Sequence, residues 1–179
     1  MVLTGKEIIE QVRQGNIYIE GFDEAKVNPN SYNLKLHNEL LIYKDDVLDL
    51  KLKNETTRII IPEEGYILLP NKIYLGRTHE FTKTHGFVPQ IQGRSSIGRL
   101  GIDVHKTAGW GDDGFENNWT LELVATQPVK IYPFIDIAQI IYMKVFGDSS
   151  IKYKGKYQNT RDINSSKMYE EFKVISDML

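Results

Sequence analysis

The chain has 179 residues, 41% of them hydrophobic and 26% charged, which fits one globular domain with a full core, or one domain plus a tail. A net charge of -2 and a pI near 6.1 provide no general attraction for nucleic acid, so recognition of any phosphate has to be local. The absence of cysteine excludes disulfides, thiolate metal sites and a cysteine nucleophile.

The N-terminal Met1-Val2-Leu3-Thr4-Gly5-Lys6 lacks the apolar core of a signal peptide, and no apolar run approaches transmembrane length. A cytoplasmic protein without membrane contact is expected. Thr4-Gly5-Lys6-Glu7 has capping-box spacing, Ile8, Ile9 and Val12 form an apolar stripe, and Gly15 is a stop signal, which predicts a helix from about Gly5 to Gln14. Short β-rich runs follow at Tyr32–Leu36, Glu39–Tyr43, Thr57–Ile61, Tyr66–Leu69 and Ile73–Arg77, punctuated by Pro62, Gly65 and Pro70. The second half adds Phe87–Gln92, Thr120–Gln127, Val129–Tyr132 and Ile137–Phe146. Many short strands, one helix and no internal repeat indicate an all-β sandwich or barrel over residues 1–146. From Gly147 to residue 179 the chain turns polar. A frayed terminus is the default for such a segment. Two lysines, two tyrosines and a glutamine within Tyr153-Lys154-Gly155-Lys156-Tyr157-Gln158 also suit the capping of a phosphorylated ligand.

The run Gln92-Gly93-Arg94-Ser95-Ser96-Ile97-Gly98-Arg99-Leu100-Gly101 has the composition of a phosphate cradle. Guanidinium forks and hydroxyls donate to phosphate oxygens, and glycines let the backbone come close. Downstream, Glu122 stands between apolar neighbours in Trp119-Thr120-Leu121-Glu122-Leu123-Val124. On an inward-facing strand position its pKa would be raised by desolvation, and it could take up and return a proton. The alternative is an outward strand residue or a structural ion-pair partner. Zinc-dependent nucleobase deamination needs Pro-Cys-x-x-Cys and is excluded, so any deaminase here is metal-free at the base and driven by Glu122. Asp112 and Asp113 lie in a glycine-bounded turn. They are turn formers or, alternatively, one binds a sugar hydroxyl or positions water at phosphorus, chemistry that also calls for a divalent ion. His79, Glu80 and His85 are too loosely spaced for a metal site. His105, beside the cradle, suits a gate, a hydrogen-bond partner or packing. Ser95 and Ser96 lack an adjacent histidine base.

Taken together, Arg94-Ser95-Ser96-x-x-Arg99-Leu100-Gly101, Val104-His105-x-Thr107-Ala108, Asp112-x-Gly114-Phe115 and Thr120-Leu121-Glu122 closely resemble the dCTP deaminase family of the trimeric dUTPase superfamily. Asn28-Pro29-Asn30-Ser31-Tyr32-Asn33-Leu34 upstream and Lys156-Tyr157-Gln158 downstream extend the resemblance over most of the chain.

That resemblance implies a distorted β-barrel or jelly-roll of the dUTPase-like type, with a short N-terminal helix, assembled as a homotrimer with active sites between subunits. The tail, residues 147–179, would close over the nucleotide. Glu122 becomes the proton shuttle for attack at cytosine C4, with Ser95 and Arg99 orienting water. Arg94, Ser95 and Ser96 bind the triphosphate, whose oxygens hold Mg2+ without direct protein ligands or zinc. Asp112 meets the deoxyribose hydroxyl, the backbone at Thr120 and Leu121 reads the pyrimidine, and Tyr153, Lys156 and Gln158 belong to the closing tail. dTTP is the implied feedback inhibitor, with His105, Lys106, Thr107 and Ala108 as the gating segment.

Thr107-Ala108-Gly109-Trp110 and Thr120-Leu121-Glu122-Leu123-Val124-Ala125 look like the bifunctional branch, which also cleaves dUTP to dUMP and diphosphate with the acid matching Asp112 aligning water. A deaminase stopping at dUTP, and a non-catalytic nucleotide-binding protein on the same fold, are the alternatives. The chain departs from the family pattern at Asn33, where Asp is common, at Gly111 and Asp113 around the acid, at Glu116-Asn117-Asn118-Trp119, which lacks a glycine, and at Thr160, where a second glutamine is often found.

Overall fold

The structure, a computed structural model, describes residues 1–176, with side chains through residue 172. In chain order its elements are α1 (Gly5–Arg13), β1 (Ile17–Ile19), a 3-10 turn (Glu24–Lys26), β2 (Val27–Asn28), β3 (Ser31–Lys35), β4 (Glu39–Tyr43), β5 (Thr56–Ile60), β6 (Tyr66–Leu68) and β7 (Ile73–Arg77). There follow β8 (Thr82–Thr84), β9 (Phe87–Gly93), α2 (Ser95–Gly98), β10 (Ile102–Asp103), β11 (Glu116–Asn117), β12 (Thr120–Ala125), β13 (Val129–Ile131), β14 (Asp136–Lys144) and α3 (Tyr169–Ser176).

The strands pair antiparallel in four small sheets, ordered β1-β8-β11, β10-β12-β7-β4-β5, β13-β6 and β2-β3-β14-β9. They wrap one core without closing into a single barrel, so the expected all-β architecture with a short N-terminal helix is present in an open, distorted form. Tyr32, Leu34, Leu36, Leu40, Leu121, Leu123, Ile140 and Tyr142 are wholly buried in that core. In α1 the Thr4 hydroxyl accepts the Glu7 N–H at 3.3 Å, satisfying one of the orphan donors of the first turn.

The runs with clear alternation coincide with strands to within a residue or two. Those that escape sequence reading, β1, β2, β8, β10 and β11, have two or three residues, too few for a period to emerge. The expectation of a single helix is corrected by α2, one turn following an extended Arg94, and by α3, which sits in the polar terminus.

Beyond Gly147 the described chain is bound to the β domain. Ile163 is buried against Leu41 and Leu75 on the outer face of the five-stranded sheet. Arg58 donates twice to the Asp162 carboxylate at 2.8 Å, Arg161 pairs with Glu20 at 2.9 Å, and the Asn164 N–H reaches the Thr120 hydroxyl at 3.1 Å. The tail is therefore a strap across this sheet. Residues 177–179, the end of the segment expected to close over the nucleotide, lie outside the described residues. Among the described residues no helix is long and apolar enough to cross a membrane.

Candidate active site

Strand β12 presents Glu122. Leu121, Leu123 and Ala125 point into the core while Thr120, Glu122 and Val124 are half-exposed on the other face. Each buried leucine contributes roughly 1.5–3 kcal/mol, and a slip of one residue would exchange the two faces, so the core fixes the direction of the acid. Glu122 thus faces outward into a cleft rather than inward, with its side chain 26% exposed.

The surroundings of its carboxylate also correct the expected raised pKa. His105 Nδ1 stands 3.6 Å from Oε2, an ion-pair distance, and the Lys106 N–H donates to the same oxygen at 3.0 Å. The His105 imidazole, together with the Lys106 and Thr107 backbone N–H groups, holds Glu122 below the usual carboxylate range, outweighing the opposing push of burial. Neither ring nitrogen of buried His105 has a hydrogen-bond partner among the described residues.

The Glu122 N–H donates to the Val104 carbonyl, on the side of β12 away from β7. Backbone groups alternate sides along an antiparallel strand, so those of Thr120 face the same way, whereas those of Leu121 face Gly76 of β7. Of the two residues expected to read a pyrimidine through their backbone, Thr120 alone is directed toward the cleft.

The second acid lies on the turn from Gly111 to Phe115. A Cβ at Gly111 would come within 2.5 Å of the Trp119 ring, so the glycine is required by the indole packed beneath it. Gly114 has φ +89, and a side chain there would also press on Lys152. Asp112 is exposed and lines the same cleft as Glu122, while Asp113 is buried and hydrogen-bonded within the fold. The two adjacent acids are thereby separated in role: one faces the cleft, the other fastens the turn.

The cleft has a volume of about 550 Å³ and is bounded by His105, Ala108, Asp112, Thr120, Glu122 and Tyr153 among the residues singled out from sequence. Tyr157, one of the two tyrosines noted in the polar terminus, lines it too, and sequence reasoning missed Tyr43, Trp110 and Asn164. The aromatic Trp110 was a readable signal, whereas Asn164 reaches the cleft on the strap and Tyr43, at the end of β4, meets the strap there by accepting the Ser166 N–H. A neighbouring cleft of about 590 Å³ contains Arg94, Ser95, Lys106 and Thr107. His105 and Trp110 line both. Arg94 donates to the Asp136 carbonyl at 3.0 Å, and Ser96 and Arg99 are exposed on α2 and at its end. Within one chain, then, the arginine-serine run and the Glu122 carboxylate occupy separate clefts.

In the strap, Tyr153 sets its ring edge-on to Phe115 at 5.4 Å beside the cleft. Gln158 donates to the Gly114 carbonyl at 2.7 Å and accepts the Glu116 N–H at 3.3 Å, holding the acid-bearing turn rather than facing the cleft. Lys156 pairs with Glu171 on α3 and with the Lys167 carbonyl. Thr160 donates its N–H to the Asn117 side chain and accepts the Asn118 N–H, so the residue replacing a common glutamine serves backbone pairing.

Residues 2–145 match the model of the family described as dCTP deaminase-like. A protein of Clostridium beijerinckii named "dCTP deaminase, dUMP-forming" is 54% identical over 172 residues, covering 96% of this chain and 99% of that protein. Proteins with the same name from Leptospira biflexa and Cytophaga hutchinsonii are 51% and 48% identical, each over 96% of this chain and covering 98% and 99% of those proteins. The crystal structure of 2'-deoxycytidine 5'-triphosphate deaminase from Agrobacterium tumefaciens shares the fold with a TM-score of 0.62 at 16% identity, over 79% of this chain; the match spans only 47% of that longer chain. By its sequence match over four-fifths of its length and its fold, the chain belongs to the dCTP deaminase-like family.

Proposed function

We propose that the protein converts dCTP and two waters to dUMP, ammonia and diphosphate. The observation that carries this reading is the placement of an ionised Glu122 and an exposed Asp112 on one cleft, in a chain about half identical to proteins named as dUMP-forming dCTP deaminases. Glu122 takes a proton from water as its oxygen bonds to cytosine C4, and returns protons to the ring nitrogen and the departing ammonia. Its lowered pKa keeps it in the base form in the open cleft and suits the returning half of that cycle. The accepting half is favoured once nucleotide excludes water from the cleft and raises the cost of the charge. Asp112 then holds the sugar hydroxyl and aligns the second water at the α-phosphorus.

The separation of the two clefts supports a homotrimer. Arg94, Ser95, Ser96 and Arg99 of a neighbouring copy bind the triphosphate beside Glu122 and Asp112, and Ser95 and Arg99 orient the attacking water. Mg2+ would arrive on the nucleotide and be held by its phosphate oxygens and waters, which leaves the exposed Asp112 carboxylate to the sugar hydroxyl and the second water. The ion supplies charge neutralisation on the triphosphate. The strap covers the bound nucleotide through Tyr153 at the cleft, while Lys156 and Gln158 hold the strap and the acid-bearing turn in place. The 105–108 segment, which borders both clefts, is the place where dTTP inhibits.

Incubation with dCTP and Mg2+ tests the reading by its products. Formation of dUMP and diphosphate is expected. Accumulation of dUTP without diphosphate leaves a deaminase alone, and hydrolysis of dUTP with no turnover of dCTP leaves a dUTPase.

A further inference from the structure

Asp112 presents its carboxylate to the cleft without a hydrogen bond or ion pair of its own among the described residues. Its direction is set by the backbone of its turn, and that turn is fastened by the next residue. Asp113 is 7% exposed and uses both oxygens: Oδ1 accepts the Gly86 N–H at 2.9 Å and Oδ2 accepts Lys152 Nζ at 2.5 Å. Its carbonyl accepts the Tyr153 N–H at 3.0 Å. The Gly114 N–H donates to the Thr84 carbonyl at 3.0 Å, and the Lys152 Cβ packs over Gly114. One buried carboxylate therefore joins the β8–β9 turn, the acid-bearing turn and the first part of the strap. The residues on either side of these joints, Asp112 and Tyr153, both face the cleft.

We propose that Asp113 is a positioning residue for diphosphate release: through Lys152 it locks the acid-bearing turn to the strap, so that Asp112 and Tyr153 are presented to the nucleotide as one unit. The inference rests on the function proposed above. It makes the strap part of the alignment of the phosphate-cutting water as well as a cover. A loosened joint displaces Asp112 by rotation of its turn, whereas Glu122 is held by the core packing of β12 and is displaced less.

The test compares Asp113→Asn and Lys152→Met with the unaltered protein on dUTP and on dCTP. Diphosphate release is expected to fall on the order of ten- to a hundredfold, the range set by small misplacements of an aligning group. Ammonia release should fall by a smaller factor, so that dUTP accumulates during turnover of dCTP. The double variant should be no slower than the slower single, because both changes break one joint. Amide exchange should accelerate together over residues 111–115 and 150–155. Lys152 is partly exposed, so its variant keeps the test open if Asp113→Asn does not fold. A parallel fall of both activities marks a purely structural pair and overturns the inference, as does dUTP hydrolysis at the unaltered rate in both variants. Unaltered protein that forms no diphosphate from dUTP overturns the proposed function and this inference together, and is recognised before any variant is compared.

Discussion

His105 Nδ1 stands 3.6 Å from Oε2 of Glu122, and this pairing favours the ionised form of the acid at the cleft. Contact with the imidazole and the backbone N–H groups of Lys106 and Thr107 holds the carboxylate ionised to lower pH than usual. A folded-state pKa below the unfolded value contributes stability that is present above the unfolded pKa and lost as pH falls through the folded one. The acid limb of deamination should follow the same direction, with the base form persisting below the ordinary range for glutamate. His105→Ala leaves burial as the dominant influence and should move that limb upward. A pH profile of kcat/KM for ammonia release checks it, and an unmoved limb removes His105 from this role.

Glu122→Gln retains the shape of the side chain and loses the base. Ammonia release should fall by about 10²–10⁴-fold or more, the usual contribution of a positioned general base, while nucleotide affinity changes little. Single-turnover assays beside equilibrium binding separate the two. Substantial residual deamination would refute the assigned role.

For Asp112→Asn the expected loss lies in the other half of the reaction. Diphosphate release from dUTP should drop by on the order of a hundredfold, with ammonia release from dCTP less affected. Unchanged diphosphate release would move the hydrolytic role away from Asp112.

The strap is attached by contacts of unequal strength. Arg58 Nη2 reaches both carboxylate oxygens of Asp162, yet both side chains are substantially exposed, and exposed pairs contribute about 0.2–1 kcal/mol. Ile163 is 5% exposed between Leu41 and Leu75, and truncating such a side chain to alanine costs about 2–5 kcal/mol. Ile163→Ala should therefore release the strap and raise KM for nucleotide, whereas Arg58→Ala should do so weakly. Hydrogen exchange over residues 157–166 is the direct readout.

Gly111→Ala places a methyl group 2.5 Å from the Trp119 ring. Overpacking of this kind costs about 1–3 kcal/mol. The midpoint of thermal unfolding should fall by roughly 2–4 °C for each kcal/mol in a chain of this size. An unchanged midpoint with full activity would mean that the indole yields without strain.

Much of this arrangement was legible from residue order alone. The leucines flanking Glu122 fix its strand and the alternation of its faces, and Gly111 to Phe115 reads as a turn. The direction of Glu122 was not legible, because apolar neighbours are compatible with an acid on either face until the core is known. Nor was the depression of its pKa, since Lys106 and Thr107 meet it through backbone N–H groups that carry no residue signature. Asp112 and Asp113 look alike as letters, and only the Lys152 and Gly86 contacts distinguish them. Asn164 reaches the cleft beside Tyr43 of β4 because a polar terminus is strapped across a sheet by a buried isoleucine, whose contact with Leu41 spans more than a hundred positions of chain.

The outward placement of Glu122 has an evolutionary consequence. Its neighbours Leu121 and Leu123 carry the packing of β12, so exchange of the acid leaves the core contacts of the strand in place. On the proposed function, a single replacement there would turn a catalyst into an inert nucleotide trap that keeps this strand in place.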